Sequence, residues 1–248
     1  MTTQQAHPDQ VTTQQARSER VTTQEALETP DFTRRRIRLL LPALLLVTLA
    51  YPVSELHPAA VVAYGFGYVI LLALGARVAG VTRWRRITAV TVAGAIALLS
   101  VPWVMFPEAP WLSLSVYALL VGFHLLVIAA VARYLFETHG IDRDVLLAGT
   151  SLYVLVGDMF VPAAMIVHQL SVDLTGTAAY VADWPITWQR MAYVSFATLT
   201  TLGPTGIRPV TSAAQALTIA EATFGVLIVA LIVARLAGAA VVAGLRRR

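Results

Sequence analysis

The chain has 248 residues, of which 57% are hydrophobic and 13% are charged, and its formal net charge is +4. A soluble protein of this size could not bury so much apolar surface, so the composition predicts a membrane protein. The chain contains no cysteine, which excludes disulfides, thiolate metal sites and cysteine nucleophiles.

The first thirty-odd residues differ in composition from the rest of the chain. Thr-Thr-Gln-Gln-Ala begins at Thr2 and at Thr12, and Thr-Thr-Gln-Glu-Ala begins at Thr22, which makes a ten-residue repeat. The repeat is polar, poor in aromatic residues and without heptad spacing, which favours a disordered tail over a tetramerising helix. Residues 1–33 are therefore predicted to be a disordered tail.

Apolar segments of near-spanning length follow the tail. They cover residues 38–54, 59–80, 87–106, 111–135, 145–169 and 212–240. We therefore expect an all-α membrane protein with six transmembrane helices. Residues 34–143 would form a four-helix scaffold, residues 144–240 a second domain, and residues 241–248 a basic end.

Arginine placement predicts the orientation, because cytoplasmic loops carry an excess of basic residues close to the spans. Arginines precede the first segment, follow the second and fourth, and end the chain: Arg34, Arg35, Arg36, Arg38, Arg77, Arg83, Arg85, Arg86, Arg133, Arg143, Arg246, Arg247 and Arg248. The alternate loops around Glu55 and Glu108 have none. Both termini are predicted to be cytoplasmic, and residues 171–208 are predicted to face outward.

The fourth apolar segment, 111–135, carries a single arginine, Arg133, at its cytoplasmic edge. Steep voltage dependence needs several charges on one helix within the membrane. The first four segments are therefore predicted to form a scaffold that does not sense voltage.

A more polar interval at 171–208 separates the last two apolar segments, and its residues 187–200 can form a short helix. The sequence Thr-Leu-Thr-Thr-Leu-Gly-Pro-Thr-Gly then runs from Thr198 to Gly206. An ion-selectivity filter replaces the water around a cation with backbone carbonyls and a threonine hydroxyl, and glycine permits the backbone angles that this requires. We expect a re-entrant helix and a filter loop here, between the fifth and sixth spans.

Residues 193–238 resemble the pore module of the potassium-channel superfamily, in which a pore helix precedes a Thr-x-Thr-Thr-x-Gly-Tyr-Gly-Asp filter and an inner helix. The positions that fit the filter and its Ile-x-Pro tail are Thr198, Thr200, Thr201, Leu202, Gly203, Ile207 and Pro209. The resemblance implies a homotetramer in the plasma membrane that passively conducts potassium or other monovalent cations. The chain is similar to a bacterial branch of this superfamily with six spans and no charged fourth helix.

Three positions depart from the family filter: Pro204, Thr205 and Gly206 stand where it has tyrosine, glycine and aspartate. Proline lacks an amide that could brace the filter, and a β-branched threonine is poorly suited to positive φ. Gly206 removes a ring of acids, and Arg208 lies close by. The inner part of the filter remains, which predicts a cation pore with shortened or relaxed selectivity.

Three residues within the last two spans are candidates for supporting or opening the pore. Counting about 1.5 Å per residue places Asp158 and Glu221 at a similar depth, level with the short helix. We expect Glu221, together with Asp158, to brace that helix near Ser195 or the filter threonines, Thr198 included; a protonated acid bonded within the helix bundle is the alternative. Gly225 matches the bending point of related inner helices, although small residues also serve close helix packing.

Two other functions compete with a conducting pore. A non-conducting relative, acting as a membrane scaffold or regulatory subunit, would also carry a degenerate filter. An enzyme is disfavoured because no cluster of His, Asp and Glu has catalytic or metal-ligand spacing, so no catalytic residue, cofactor or metal is expected beyond permeating cations. Membrane lipid is an expected partner and nucleic acid is not.

Overall fold

The computed structural model describes residues 31–50, 58–79, 83–106, 109–138, 143–203 and 206–245. The chain divides into two compact units, Met1–Arg35 and Arg36–Arg248. Only residues 31–35 of the first unit are described, as the start of the first helix. The ten-residue repeats lie outside the described residues, and so do Pro204 and Thr205 of the expected filter.

The described part of the chain is helical. Its helices are α1 (Asp31–Ala50), α2 (Pro58–Ala79), α3 (Arg83–Met105), α4 (Pro110–Glu137), α5 (Arg143–Thr175), α6 (Trp188–Leu199) and α7 (Ser212–Leu245). Two short strands, β1 (Tyr180–Val181) and β2 (Arg208–Pro209), pair antiparallel. The prediction of a helical protein is confirmed, and the strand pair is an addition that the sequence pattern did not indicate.

Four helical segments within the described residues are long and apolar enough to cross a membrane: Arg83–Trp103, Pro110–Glu137, Arg143–Thr175 and Ser212–Arg235. Two further apolar stretches, Arg38–Ala50 and Gly65–Val78, are shorter. Helices suit a bilayer because they satisfy their own backbone hydrogen bonds where no water is present. The chain is therefore a helical membrane protein, with spans in the regions of the last four predicted segments.

Prolines stand at positions that a membrane helix tolerates. Pro110 is the first residue of α4, where its missing amide would have no helical partner. Pro42, Pro102 and Pro162 lie inside α1, α3 and α5. Packing against neighbouring helices compensates for such interruptions within a bundle.

Helix α5 is central to the packing, because it contacts α4, α6 and α7. The largest apolar core contains buried residues from each of the five helices α1 to α5, among them Leu44, Leu72, Val127 and Leu155. At the start of α5, the buried Asp144 carboxylate accepts hydrogen bonds from Arg38 Nε at 2.6 Å and Arg38 Nη2 at 3.0 Å. This bidentate ion pair attaches α1 to α5, and α5 in turn packs against α6 and α7.

Candidate functional site

The short helix α6 lies between the long helices α5 and α7 and packs against both. Thr187 caps its start by accepting a hydrogen bond from the amide of Arg190. Its 12 residues extend roughly 18 Å, less than the ~30 Å hydrocarbon core of a bilayer. The short helix expected over 187–200 is therefore present, bounded by the capping residues Thr187 and Thr200.

The chain leaves α6 through a turn with unusual backbone angles. Thr201 has a φ of 62° and Gly203 has a φ of 90°. Their amides turn back to the end of α6 and donate to Thr198 O at 3.0 Å and Ala197 O at 3.1 Å, respectively. A non-glycine residue in the left-handed region costs about 1–3 kcal/mol, and such strain clusters at functional sites. The sequence led us to expect a threonine at positive φ at position 205. Among the described residues, the threonine with positive φ is Thr201.

The residues of this turn differ in their exposure. Thr200 and Thr201 are exposed, and the exposed fraction of Leu202 is 71%. Thr198 is buried, and its hydroxyl has no hydrogen-bond partner among the described residues. The turn at 200–203 is therefore open to other molecules in a single chain, whereas Thr198 belongs to the interior.

Ser195 on α6 connects the two long helices through hydrogen bonds. Its hydroxyl donates to the Gly157 carbonyl of α5 at 2.9 Å and is also hydrogen-bonded to Oε1 of Glu221 on α7. A serine hydroxyl has one hydrogen, so Ser195 either shares it between the two oxygens or donates it to Gly157 while a protonated Glu221 carboxyl donates to Ser195. Glu221 thus lies against α6 near Ser195, as the depth count indicated; its role in supporting a filter stays a prediction.

The Asp158 side chain lies apart from this hydrogen-bonded group. Its carboxylate accepts a hydrogen bond from Thr48 Oγ1 of α1, at 3.3 Å from Oδ1. Asp158 follows Gly157 directly in sequence, but successive residues of a helix point about 100° apart. Glu221 is hydrogen-bonded to α6 and Asp158 to α1, and the support of α6 by Asp158 stays a prediction.

Glycines allow α5 and α7 to approach α6 closely. A Cβ atom added at Gly157 would lie 2.8 Å from Phe196 Cε1, and one added at Gly225 would collide with the Leu199 carbonyl oxygen. That same carbonyl accepts a hydrogen bond from Tyr153 Oη at 3.1 Å. The structure thus places Gly225 in close helix packing at the end of α6, and its proposed bending stays a prediction.

An aromatic group at the start of α6 was missed from the sequence. Trp188 stacks on Tyr117 of α4 at a centroid distance of 5.9 Å and meets the edge of Tyr68 of α2 at 6.3 Å. Tyr117 also contacts Trp103 of α3 at 5.7 Å, and Trp103 Nε1 donates to Ser113 Oγ at 3.1 Å. Helices α2 and α4 therefore meet the first residue of α6, and α3 joins the group through Tyr117. In sequence only the position of Trp188 at a helix start could have hinted at this.

The strand pair fixes the chain on either side of α6. Tyr180 pairs with Pro209 and Val181 with Arg208, so the segment that follows the turn runs back along the segment that precedes the helix. Burial raises the pKa of the Tyr180 hydroxyl, and its hydrogen bond with Thr218 of α7 acts in the opposite direction. The strand pair is thereby attached to the start of α7.

The second half of α7 contacts the end of α4. Arg235 Nη2 donates a hydrogen bond to the backbone carbonyl of Thr138, which caps the end of α4. The final turns of a helix leave carbonyl oxygens without helical partners, and a guanidinium is a favourable donor to them. Helix α7 is thus held near Ser195 by Glu221 and near Thr138 by Arg235.

A comparison with known families found a match in the region of α5, α6 and α7. Residues 167–241 match the model of a family described as ion channel, which covers less than a third of the chain. The match begins in the second half of α5, includes α6 and the turn, and ends within α7. The comparisons with curated proteins and with solved structures gave no match.

Proposed function

We propose that the chain is a subunit of a cation channel of the potassium-channel type, with residues 144–240 as its pore domain. The proposal rests on the arrangement of α5, α6 and α7. A short capped helix between two membrane-length helices ends in a threonine-rich turn with Gly203 at a φ of 90°. The ion channel family match over 167–241 supports the same assignment.

A homotetramer follows from the geometry of a filter, which must surround the ion while each chain supplies one copy of the turn. The long helix α7 supports this assembly, because much of its apolar surface is exposed in a single chain. Its exposed residues include Ile219, Phe224, Leu227 and Leu231. In a tetramer these side chains would contact neighbouring subunits, lipid or the pore.

The ion sites would be formed by Thr200, Thr201, Leu202 and Gly203, with Thr198 behind them. Gly206 supplies no carboxylate at the outer end, and Arg208 is exposed there. Positive charge at a pore mouth lowers the local concentration of cations. We therefore propose a monovalent cation pore, for potassium or with weaker selectivity, whose outer half departs from the family pattern.

The helices α1 to α4 would form a scaffold without voltage sensing, and α1 and α2 would complete a set of six spans. Helix α4 carries a single arginine, Arg133, too few for a steep response to voltage. We place the protein in the plasma membrane, and the arginine pattern supports cytoplasmic positions for both termini. We propose that the outer side carries the strand pair and the end of the turn.

The test is cation flux into liposomes that contain the purified protein, under opposed potassium and sodium gradients. Potassium-selective flux supports a complete filter, and flux without selectivity supports a shortened one. Absence of flux from a verified tetramer, over a range of pH, lipid composition and membrane tension, contradicts the proposal.

A non-conducting membrane subunit is the second candidate, and the departures at Pro204, Thr205 and Gly206 favour it. The double substitution Pro204→Tyr and Thr205→Gly separates the two candidates, and it leaves Gly206 unchanged because a side chain there would meet Trp184. It should raise potassium selectivity in a pore that conducts, and it should change nothing in a pore that is sealed.

A further inference from the structure

The indole of Trp184 lies against Gly206, at the point where the chain leaves the proposed filter. A Cβ atom added at Gly206 would lie 2.5 Å from Trp184 Cζ2 and 2.7 Å from Trp184 Cη2. Real Cβ atoms do not approach ring carbons this closely, so a side chain at 206 would displace the indole. Gly206 also has a φ of 88°, a backbone conformation that disfavours other residues.

The strand pair lies next to this contact. Val181 stands opposite Arg208, so the segment that leads to Trp184 lies beside the segment that follows Gly206. The pairing therefore keeps the two segments adjacent where the indole meets Gly206.

The indole also contacts the start of α6. The Arg190 guanidinium lies 5.5 Å from the centre of the Trp184 ring, a distance typical of a cation–π contact. Arg190 Nη1 also donates to the Pro185 carbonyl at 3.0 Å, which fixes the arginine beside the indole. Trp184 is thus positioned between the first turn of α6 and the chain that returns from the turn.

We propose that Trp184 is a positioning residue for the outer end of the filter: it fixes Gly206 and thereby influences the cation selectivity of the pore. This inference rests on the proposed function. The indole occupies the space that an acidic side chain at 206 would need, so the outer rim is built from an aromatic ring and Arg190 in place of a carboxylate. Gly206 is required because the indole leaves no room for a side chain.

The contact itself is tested by a double-mutant cycle on the full-length protein in detergent, with thermal unfolding as the measurement. Gly206→Ala alone should lower the unfolding midpoint by several degrees. In a Trp184→Ala background the same substitution should lower it less, because only the backbone strain remains. The matched control is Gly176→Ala, since Gly176 has a φ of 68° and a Cβ added there meets nothing within 4 Å. Gly176→Ala should have the same effect with or without Trp184. If Gly206→Ala also lowers the unfolding midpoint by the same amount in both backgrounds, the proposal is overturned.

Flux through liposomes tests the effect on selectivity. Trp184→Ala should change the ratio of potassium to sodium flux severalfold, whereas Trp184→Phe, which keeps an aromatic ring beside Arg190 but loses Cζ2 and Cη2, should change it less. An unchanged ratio in a Trp184→Ala protein that conducts overturns the positioning role while the channel function stands. If the unsubstituted protein carries no flux, the channel function and the selectivity role fail together, and the cycle still decides whether Trp184 fixes Gly206.

Discussion

The buried face of α6 at Ser195 and the end of the following turn at Gly206 are held by different kinds of contact. At Ser195, a hydrogen bond with Glu221 is buried, and glycines let helix backbones approach closely. At Gly206, a two-residue strand pair and a half-exposed indole hold the chain. Buried contacts depend on shape and on complete hydrogen bonding, so changes on the buried face should cost more than changes near Gly206.

The largest effect is expected from Gly225→Ala, because the added methyl group would meet the Leu199 backbone carbonyl, which cannot rotate away. The free energy of unfolding should fall by about 3 kcal/mol. Denaturant titration in detergent measures this loss. Gly94→Ala in α3 is the control, since a Cβ at Gly94 meets nothing within 4 Å. A Gly225→Ala protein of normal stability but altered opening would favour bending over packing.

Glu221→Ala should come next, with a loss of about 2 kcal/mol, because it removes a buried partner of Ser195. Glu221→Gln should retain most of the stability, since its amide group can still form a hydrogen bond with Ser195 Oγ. Thermal unfolding of both variants provides the comparison. Equal losses in the two would show that the hydrogen bond with Ser195 does not account for the stability that Glu221 contributes.

Trp188→Leu tests the contact between the scaffold and α6. The loss of its stacked and edge-on partners should cost about 1 kcal/mol beyond the change in buried area. Trp111→Leu is the control, because Trp111 is a tryptophan of α4 that is 69% exposed. If both variants unfold at the same midpoint, the aromatic group does not stabilise α6.

The smallest effect is expected from Arg208→Gln at the outer end. Removing this exposed positive charge should raise cation flux about twofold at low ionic strength, and the gain should shrink as salt is added. Arg83→Gln, which removes an exposed arginine at the start of α3, should not change flux in this way. A gain that persists at high salt would argue against an electrostatic cause.

The sequence predicted the helical segments around the site well, because these depend on local composition. The short helix was expected over 187–200 and occupies Trp188–Leu199, and the last four predicted segments correspond to helices long enough to span. Counting residues at a constant rise also placed Glu221 at the level of α6, where it meets Ser195. Helix length and rise are properties of the chain itself.

The tertiary structure alone decided which neighbour each side chain meets. Asp158 and Glu221 share a predicted depth, yet Asp158 contacts Thr48 because the rotation of α5 points it toward α1. The contact of Trp184 with Gly206 depends on a strand pair of two residues, too short to leave a recognisable pattern. Depth along a helix follows from residue number, whereas direction around it and pairing between distant segments follow from packing.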